Sequence, residues 1–460
     1  MRSRRIFTVF FCFLLLFNLT AGAFATEGDV GEGATVAKAA LLADPDTGEI
    51  LFARNIHERL YPASITKIMT ALLVLEAVDD GKLAMDTVLT ATESAVGGIP
   101  NDASSAGIKA GEQLTVEQLL QCILVVSANE AANILAEAVS GTVDGFVALM
   151  NQRAKELGCQ DTSFMNTNGL QHVDHYSTAW DLYLIAKEAW KNDTFMRLCG
   201  IKEVDIPPTN INEKSRKYYT TNYLISTARN ADYLYKGANG MKTGSTSDAG
   251  YCLVATATRD GRSLISVVLG AERVEREDGT KDTQSFSETV RLFNWGFNNF
   301  SRQIILSTDT LLDEVPVSLS QEQNYVKVHP AQEIERLIPD DIDPEKDIQR
   351  TLTFSQETVE APVTKGQVLG QITLSHGDTV YATVDLLADE DVAASRLLVF
   401  QRDFMLFLHR PAVKIGAVAF VALILLILIL RLIFKSRRRR YGYGRGRSGY
   451  RGGGYRGRRR

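Results

Sequence analysis

Apolar positions along the chain fall into three patterns, each predicting a different kind of element. Short apolar runs separated by turn residues predict strands. Residues 37–44 and 49–55 flank Pro45-Asp46-Thr47-Gly48, a strand–turn–strand unit. Residues 250–256 and 264–269, on either side of Arg259-Asp260-Gly261-Arg262, predict an antiparallel hairpin, with 240–245 on the strand before it. Longer runs predict helices. One begins at Tyr61-Pro62-Ala63-Ser64-Ile65-Thr66-Lys67 and continues through the apolar residues 68–78, where a proline suits the first turn. A second opens on Thr115-Val116-Glu117-Gln118, a capping-box pattern, and runs through Leu119, Leu120, Ile123, Leu124 and Val126. A third, 131–139, stops at Gly141, and further helices are predicted over 178–190 and 288–300. The polar Ser127-Ala128-Asn129-Glu130 stands between two apolar helices. Its side chains either point from a turn into a cleft or cap the following helix, and the pattern leaves both readings open. Beyond residue 302 the texture changes. The stretches 314–319, 325–328, 368–374 and 379–386 predict short strands of a small β-rich domain without an evident catalytic cluster.

The third pattern is unbroken hydrophobicity, and it occurs at both ends. Arg2, Arg4 and Arg5 precede the apolar residues 6–16 and the small-x-small site Ala23-Phe24-Ala25, the form of a signal peptide over 1–25. A Gly- and Glu-rich linker, 26–34, follows. Near the other end, 412–434 is long enough for one transmembrane helix, with Lys414 and Arg431 able to snorkel. Arg437 to Arg440 and the Arg/Gly/Tyr-rich residues to 460 then place the C-terminus in the cytoplasm and the body outside, so the two topology signals agree. The expected segments are therefore a signal peptide (1–25), a linker (26–34), a catalytic domain (35–302), a β-rich domain (303–400), a juxtamembrane linker (401–411), a transmembrane helix (412–434) and a basic tail (435–460).

Charge sharpens this division. The net charge of −5 hides a body, 26–430, with 34 basic against 55 acidic residues, and a tail from Arg431 with thirteen basic residues and no acids. Such a body does not suit nucleic-acid binding. The tail resembles an Arg-Gly-rich RNA-binding segment, but the reading preferred here is a topology determinant touching anionic lipid headgroups. Outside the leader, Cys122, Cys159, Cys199 and Cys252 are widely spaced, with no zinc pattern. Cys122 and Cys252 read as buried small hydrophobes, and export leaves room for one disulfide. His172 and His175 read as surface-loop histidines rather than metal ligands.

The candidate chemistry lies at the helix start. Residues three apart share a helix face, so Ser64 and Lys67 put a hydroxyl beside an amine. A serine attacks only if a base takes its proton, and a lysine is such a base only if burial or a neighbouring cation lowers its pKa. Two further elements follow in order, Ser127-x-Asn129 and Lys242-Thr243-Gly244. Together the three form the signature shared by penicillin-binding proteins and class A β-lactamases.

The surroundings narrow the match. Residues 35–300 closely resemble the D-alanyl-D-alanine carboxypeptidases, the low-molecular-mass penicillin-binding proteins. The resemblance runs through Pro62-Ala63-Ser64-Ile65-Thr66-Lys67, Ser127-Ala128-Asn129-Glu130-Ala131-Ala132, Asn168-Gly169-Leu170, His175-Tyr176-Ser177-Thr178-Ala179 and Met241-Lys242-Thr243-Gly244 up to Ala249-Gly250-Tyr251. Residues 303–395, with Ala361-Pro362-Val363 and Lys365-Gly366-Gln367, resemble the family's C-terminal domain. It implies an α+β, β-lactamase/transpeptidase-like fold: an antiparallel sheet flanked by helices, with a helical subdomain carrying Ser127 and Asn129. It further implies Ser64 as nucleophile, Lys67 as base, and Ser127 as a proton relay bridging Lys67 and Lys242. Asn129 would hold the substrate amide, Lys242 and Thr243 would face its carboxylate, and Gly244 would permit close approach. The N–H groups of Ser64 and Ser245 would form the oxyanion hole. The implied partners are a peptidoglycan stem peptide and β-lactam inhibitors, with no metal or organic cofactor. Two features depart from the family. Its usual anchor is an amphipathic C-terminal helix, whereas this chain reads as spanning the membrane. The family also often carries an arginine before a phenylalanine near the last helix; here Ser285 precedes Phe286, with Arg273 and Arg276 as substitutes. The competing readings are a β-lactamase or esterase on the same scaffold, disfavoured because no loop carboxylate is clearly placed to activate water, and a non-catalytic wall-binding protein, disfavoured by the intact signature.

Overall fold

The computed structural model describes residues 35–228, 230–377 and 379–440, with side chains as far as Phe434. The expected signal peptide, the linker 26–34 and the tail residues 441–460 lie outside the described residues. The chain forms two compact units. Of the described residues, the first holds 35–307 together with Gln332–Thr351 and Thr373–Thr383; the second holds Thr308–Ala331, Leu352–Ile372 and 384–440.

A five-stranded antiparallel sheet is the frame of the first unit. Strands β1 (Ala39–Ala43) and β2 (Ile50–Arg54) form the expected hairpin, and Asp44 closes its turn by accepting from the amides of Asp46 and Thr47. The helices that position the site follow before the remaining strands of this sheet: α1 (Lys67–Asp79), α2 (Val116–Gln121), α3 (Asn129–Ser140) and α4 (Ala179–Trp190). Strands β3 (Ala238–Thr246), β4 (Gly250–Arg259) and β5 (Arg262–Ala271) then complete the sheet in the order β2-β1-β5-β4-β3, before α5 (Gln284–Asn299) closes the domain. The registers are tight, with Leu41 opposite Val267, Val254 opposite Val267, and Lys242 opposite Val254.

The central strands are apolar without alternation because both faces are covered. Leu41, Ile265, Val267 and Leu269 pack into one core with α1, α3 and α4. Their neighbours Leu42, Leu264 and Val268 pack into the other with Leu292 and Phe293 of α5. The sheet thus lies between two helical layers, and β3, which carries Lys242-Thr243-Gly244, is an edge strand of it.

Helix α2 begins with the full reciprocal capping box of Thr115 and Gln118. It does not continue as a regular α-helix. Cys122–Val126 widens into a π turn, a local device often found beside functional sites, and the chain leaves it through Ser127 at φ +67. The polar segment is therefore both a turn and a helix start: Ser127 is the turn residue and Asn129 the first residue of α3.

In the second unit, Asp313–Ser318 pairs antiparallel with Tyr325–Pro330, Val317 runs parallel to Val359, and Val328 pairs with Ala388. The segment expected to be a juxtamembrane linker is largely helical. Helix α6 (Arg396–His409) is capped by Ser395 and stacks Phe400 on Phe404, one turn apart. After Arg410 breaks it, α7 (Pro411–Arg440) begins. Its stretch Pro411–Phe434 is 24 residues long and wholly unburied. At about 1.5 Å per residue this exceeds the roughly 30 Å of a bilayer's hydrocarbon core. Among the described residues it is the one helix long and apolar enough to cross a membrane by itself.

Candidate active site

The nucleophile candidate sits on a 3₁₀ turn, Ala63–Thr66, immediately before α1. Ala63 holds φ +47, a left-handed conformation that costs a non-glycine residue energy and that turns at functional sites often keep. Two glycines let other segments close on this turn. A Cβ on Gly244 of β3 would lie 2.9 Å from the Pro62 oxygen and 3.0 Å from the Ser64 nitrogen; one on Gly169 would lie 1.8 Å from the Ala63 oxygen. Lys-Thr-Gly and Asn-Gly-Leu thereby meet at Ser64.

Lys67 is fully buried, and its Nζ has three neighbours: Ser64 Oγ at 3.0 Å, Asn129 Oδ1 at 2.7 Å and the Asn168 carbonyl at 2.6 Å. Burial, then the Lys242 charge, push its pKa well below the ordinary lysine value, while Glu130 opposes the shift. A neutral amine has two N–H donors and one lone pair. The two oxygens of Asn129 and Asn168 can only accept, so they take both donors, and the lone pair is left facing the Ser64 hydroxyl.

Lys242 is also buried, donates to the Thr243 carbonyl at 2.9 Å, and is lowered to about 7 by burial. Burial therefore makes it a weaker fixed cation than the sequence implies. Thr243 Oγ1 shares a hydrogen bond with Thr221 Oγ1 at 2.6 Å. Ser64, Ser127, Thr243, Gly244 and Ser245 together line a cavity of about 190 Å³.

The structure departs from the expectations at Ser127 and at His175. Ser127 does not bridge the two lysines: its buried hydroxyl has no partner among the described residues, because Lys67 donates to Asn129 and Asn168 and Lys242 to its own strand. Asn129 is engaged through Oδ1 with Lys67, and its backbone N–H donates to the Ser104 carbonyl at 3.0 Å, which leaves the expected contact of its Nδ2 with the substrate amide untouched. His175 is no surface histidine but only 2% exposed. Its Nδ1 accepts from the Met165 amide at 3.2 Å, so its Nε2 carries the proton and donates to Thr66 Oγ1 at 2.8 Å; that hydroxyl donates on to the Ala63 carbonyl at 2.8 Å. His175 braces the nucleophile's turn, and burial pushes its pKa down to about 4. The cysteines Cys122, Cys159, Cys199 and Cys252 are buried and free, so no disulfide joins them.

At the far end of the cavity the two candidate arginines separate. Arg276 is paired with Asp282 at 3.2 Å. Arg273, opposite Thr283 in a short strand pair, lines the cavity beside Ser285 and Phe286. Sequence reasoning did not assign roles to His175, Asn168, Gly169 or Ser104, although the first three lie in segments that carry the family resemblance.

A serine hydroxyl 3.0 Å from the amine of a buried lysine, at the junction of a helical layer and an edge strand, is the arrangement of a serine acyl-transfer enzyme. Comparison with known proteins makes the class particular. Residues 26–273 match the D-alanyl-D-alanine carboxypeptidase family, peptidase S11, and 300–394 match the C-terminal domain of penicillin-binding protein 5. The chain belongs to the D-alanyl-D-alanine carboxypeptidase family and is a serine-type peptidase. It is 31% identical to the D-alanyl-D-alanine carboxypeptidase DacF of Bacillus subtilis, over 87% of this chain and 98% of that protein. It is 33% identical to DacC of Escherichia coli, over 78% and 84% respectively. Penicillin-binding protein 5 of Haemophilus influenzae has a similar structure, with TM-score 0.60 at 30% identity, covering 78% of this chain and 98% of that one.

Proposed function

We propose that the chain removes the terminal D-alanine from peptidoglycan stem peptides ending in D-Ala-D-Ala, through an acyl-enzyme on Ser64. The observation that carries this reading is the fully buried Lys67 amine, 3.0 Å from Ser64 Oγ and held by two acceptors, whose proton affinity burial and then the Lys242 charge lower. Ser64 Oγ attacks the carbonyl between the two D-alanines as its proton passes to Lys67. The N–H groups of Ser64 and Ser245 hold the oxyanion; losing one such donor typically costs on the order of a hundredfold in rate. The C–N bond breaks, and Ser127, whose hydroxyl is otherwise unpartnered, relays the proton to the departing D-alanine amine. Water then hydrolyses the ester and regenerates Ser64.

Asn129 keeps Lys67 on Oδ1 and offers Nδ2 to the substrate's amide carbonyl. Lys242, Thr243 and the cavity-lining Arg273 take the terminal carboxylate; Arg273 is favoured over Arg276, which Asp282 occupies. A β-lactam presents the same carbonyl and carboxylate and acylates Ser64. The catalytic domain spans 35–302, and the β-rich domain 303–400 holds it off the membrane. The helix 412–434 spans the membrane with the body outside and the basic tail in the cytoplasm against anionic headgroups, supported by the thirteen basic residues from Arg431 on.

The test is release of D-alanine from a stem-peptide mimic by the full chain in detergent, with a fluorescent penicillin on the same sample. Release with stable labelling supports the reading. Absence of both refutes it, as does labelling that survives Ser64→Ala. Labelling without release would move the activity to another peptidoglycan bond.

A further inference from the structure

Glu130 follows Asn129 in the first turn of α3 and is 2% exposed. One of its oxygens, Oε1, accepts three hydrogen bonds from a single loop: Ser105 Oγ at 2.7 Å, the Ala106 amide at 2.7 Å and the Ile108 amide at 3.4 Å. The Asn129 backbone N–H adds a fourth link, to the Ser104 carbonyl. The other side of the loop is held by the Arg216–Tyr219 strand. Tyr218 Oη donates to the Ala106 carbonyl at 2.5 Å, and Arg216 donates to the carbonyls of Ala106 and Gly107 while pairing with buried Glu112. The residue so fixed that faces the chemistry is Ser104, which lines the cavity with Ser64 and Ser127.

All three bonds end on one oxygen. The second, Oε2, is buried with no partner among the described residues. The three donors on Oε1 draw on the carboxylate's charge, yet burying a carboxylate whose other oxygen has no partner is expensive. The same charge also acts on Lys67, whose proton affinity it raises.

We propose that Glu130 is a positioning residue for the reaction, fixing the Ser104–Ile108 wall of the cavity and holding one anion behind the Lys67–Lys242 pair. This rests on Lys67 acting as the base for Ser64. The groups facing Lys67 are Lys242 from β3, His175 from the 172–178 loop and Glu130 from α3; the first lowers its proton affinity and Glu130 raises it. Glu130 thereby limits how far the amine is depressed, so that it is neutral for attack yet basic enough to carry the proton.

Two variants of the full chain in detergent separate the two tasks. Glu130→Gln keeps the acceptor and loses the charge. The acid limb of its penicillin acylation rate against pH should move down by at least about half a unit, read on the folded fraction of the variant. Glu130→Ala leaves two amides and a hydroxyl without their acceptor, and its acylation at the pH optimum should fall at least about tenfold. A Glu130→Gln profile that superimposes on the wild type, or moves to higher pH, overturns the proposal, as does a folded Glu130→Ala that acylates at the wild-type rate. If Glu130→Ala does not fold, the Glu130→Gln profile decides alone. Loss of labelling in Ser64→Ala checks the underlying reading of the site separately.

Discussion

Replacing Gly169 by alanine tests whether the nucleophile's turn is set by the segment packed on it. Gly169 has φ +83, and a Cβ there would stand 1.8 Å from the Ala63 oxygen, 2.3 Å from its carbon and 2.9 Å from the Ser64 nitrogen. The backbone conformation alone costs an alanine roughly 1–2 kcal/mol. The overlap is worse, because carbon–oxygen contact needs nearly twice that spacing, so the segments must part by about 1.5 Å. Neither can move without harm. Shifting Ala63–Ser64 displaces the nucleophile and its amide; shifting Asn168–Gly169 withdraws the carbonyl that accepts from Lys67 at 2.6 Å. A misplacement of about 1 Å can cost on the order of a hundredfold in rate, so penicillin acylation should fall by at least that factor, with about 2–4 kcal/mol lost from folding. Gly81→Ala is the control: φ is +73, but nothing lies within 4 Å, so it carries only the backbone penalty. The assay is stopped-flow or gel-based acylation of both variants, with denaturant unfolding to confirm that each is folded. If folded Gly169→Ala acylates within about threefold of the Gly81→Ala control, the turn yields without moving Ser64, and the reasoning fails.

Other outcomes follow from the same geometry. His175 has a native pKa of about 4 against about 6.5 unfolded, so the unfolded chain binds its proton first. Stability from this group is complete above pH 6.5 and falls as the pH drops toward 4, by roughly 3 kcal/mol in all. His175→Gln should shrink the stability difference between pH 7 and pH 4.5, measured by urea unfolding, and an unchanged difference would contradict the burial argument. Arg273→Ala should raise KM for a D-Ala-D-Ala peptide at least about tenfold, whereas Arg276→Ala, whose side chain is spent on Asp282, should leave it within about twofold; the reverse order would exchange their roles. Removing residues 411–460 should move the protein from the membrane to the soluble fraction while keeping penicillin labelling, and membrane retention would transfer the anchoring to α6.

The pattern of apolar positions carried the frame because the frame is made of local preferences. The Thr115–Gln118 box, the stop at Gly141 and the doubly covered strands 250–259 and 262–271 all announce themselves within a few residues. Helix α6 did not, because Leu397, Phe400 and Phe404 merge with the longer apolar run that follows them. His175 was misread for a different reason. Its loop is polar, and nothing local says that Thr66, more than a hundred residues earlier, supplies a partner for the ring. A histidine becomes buriable only when both nitrogens are satisfied, and that condition belongs to the tertiary structure.

The same limit applies to the chemistry. The spacing of Ser64 and Lys67 puts an amine near a hydroxyl, but spacing is indifferent to which of them holds the proton. Burial beside Lys242 lowers the amine's affinity for it. Direction is fixed by the side-chain oxygen of Asn129 and the backbone oxygen of Asn168, which leave a neutral amine one free site and aim it at Ser64. Asn168 acts through its carbonyl, so its side chain is silent on the role, and Gly169 matters for the close approach that brings this carbonyl in. The conversion of a common Ser-x-x-Lys into a nucleophile and base therefore depends on a third segment whose contribution is almost entirely backbone. Substitutions that shift the 167–170 backbone should impair acylation more than changes to its side chains that leave the backbone in place.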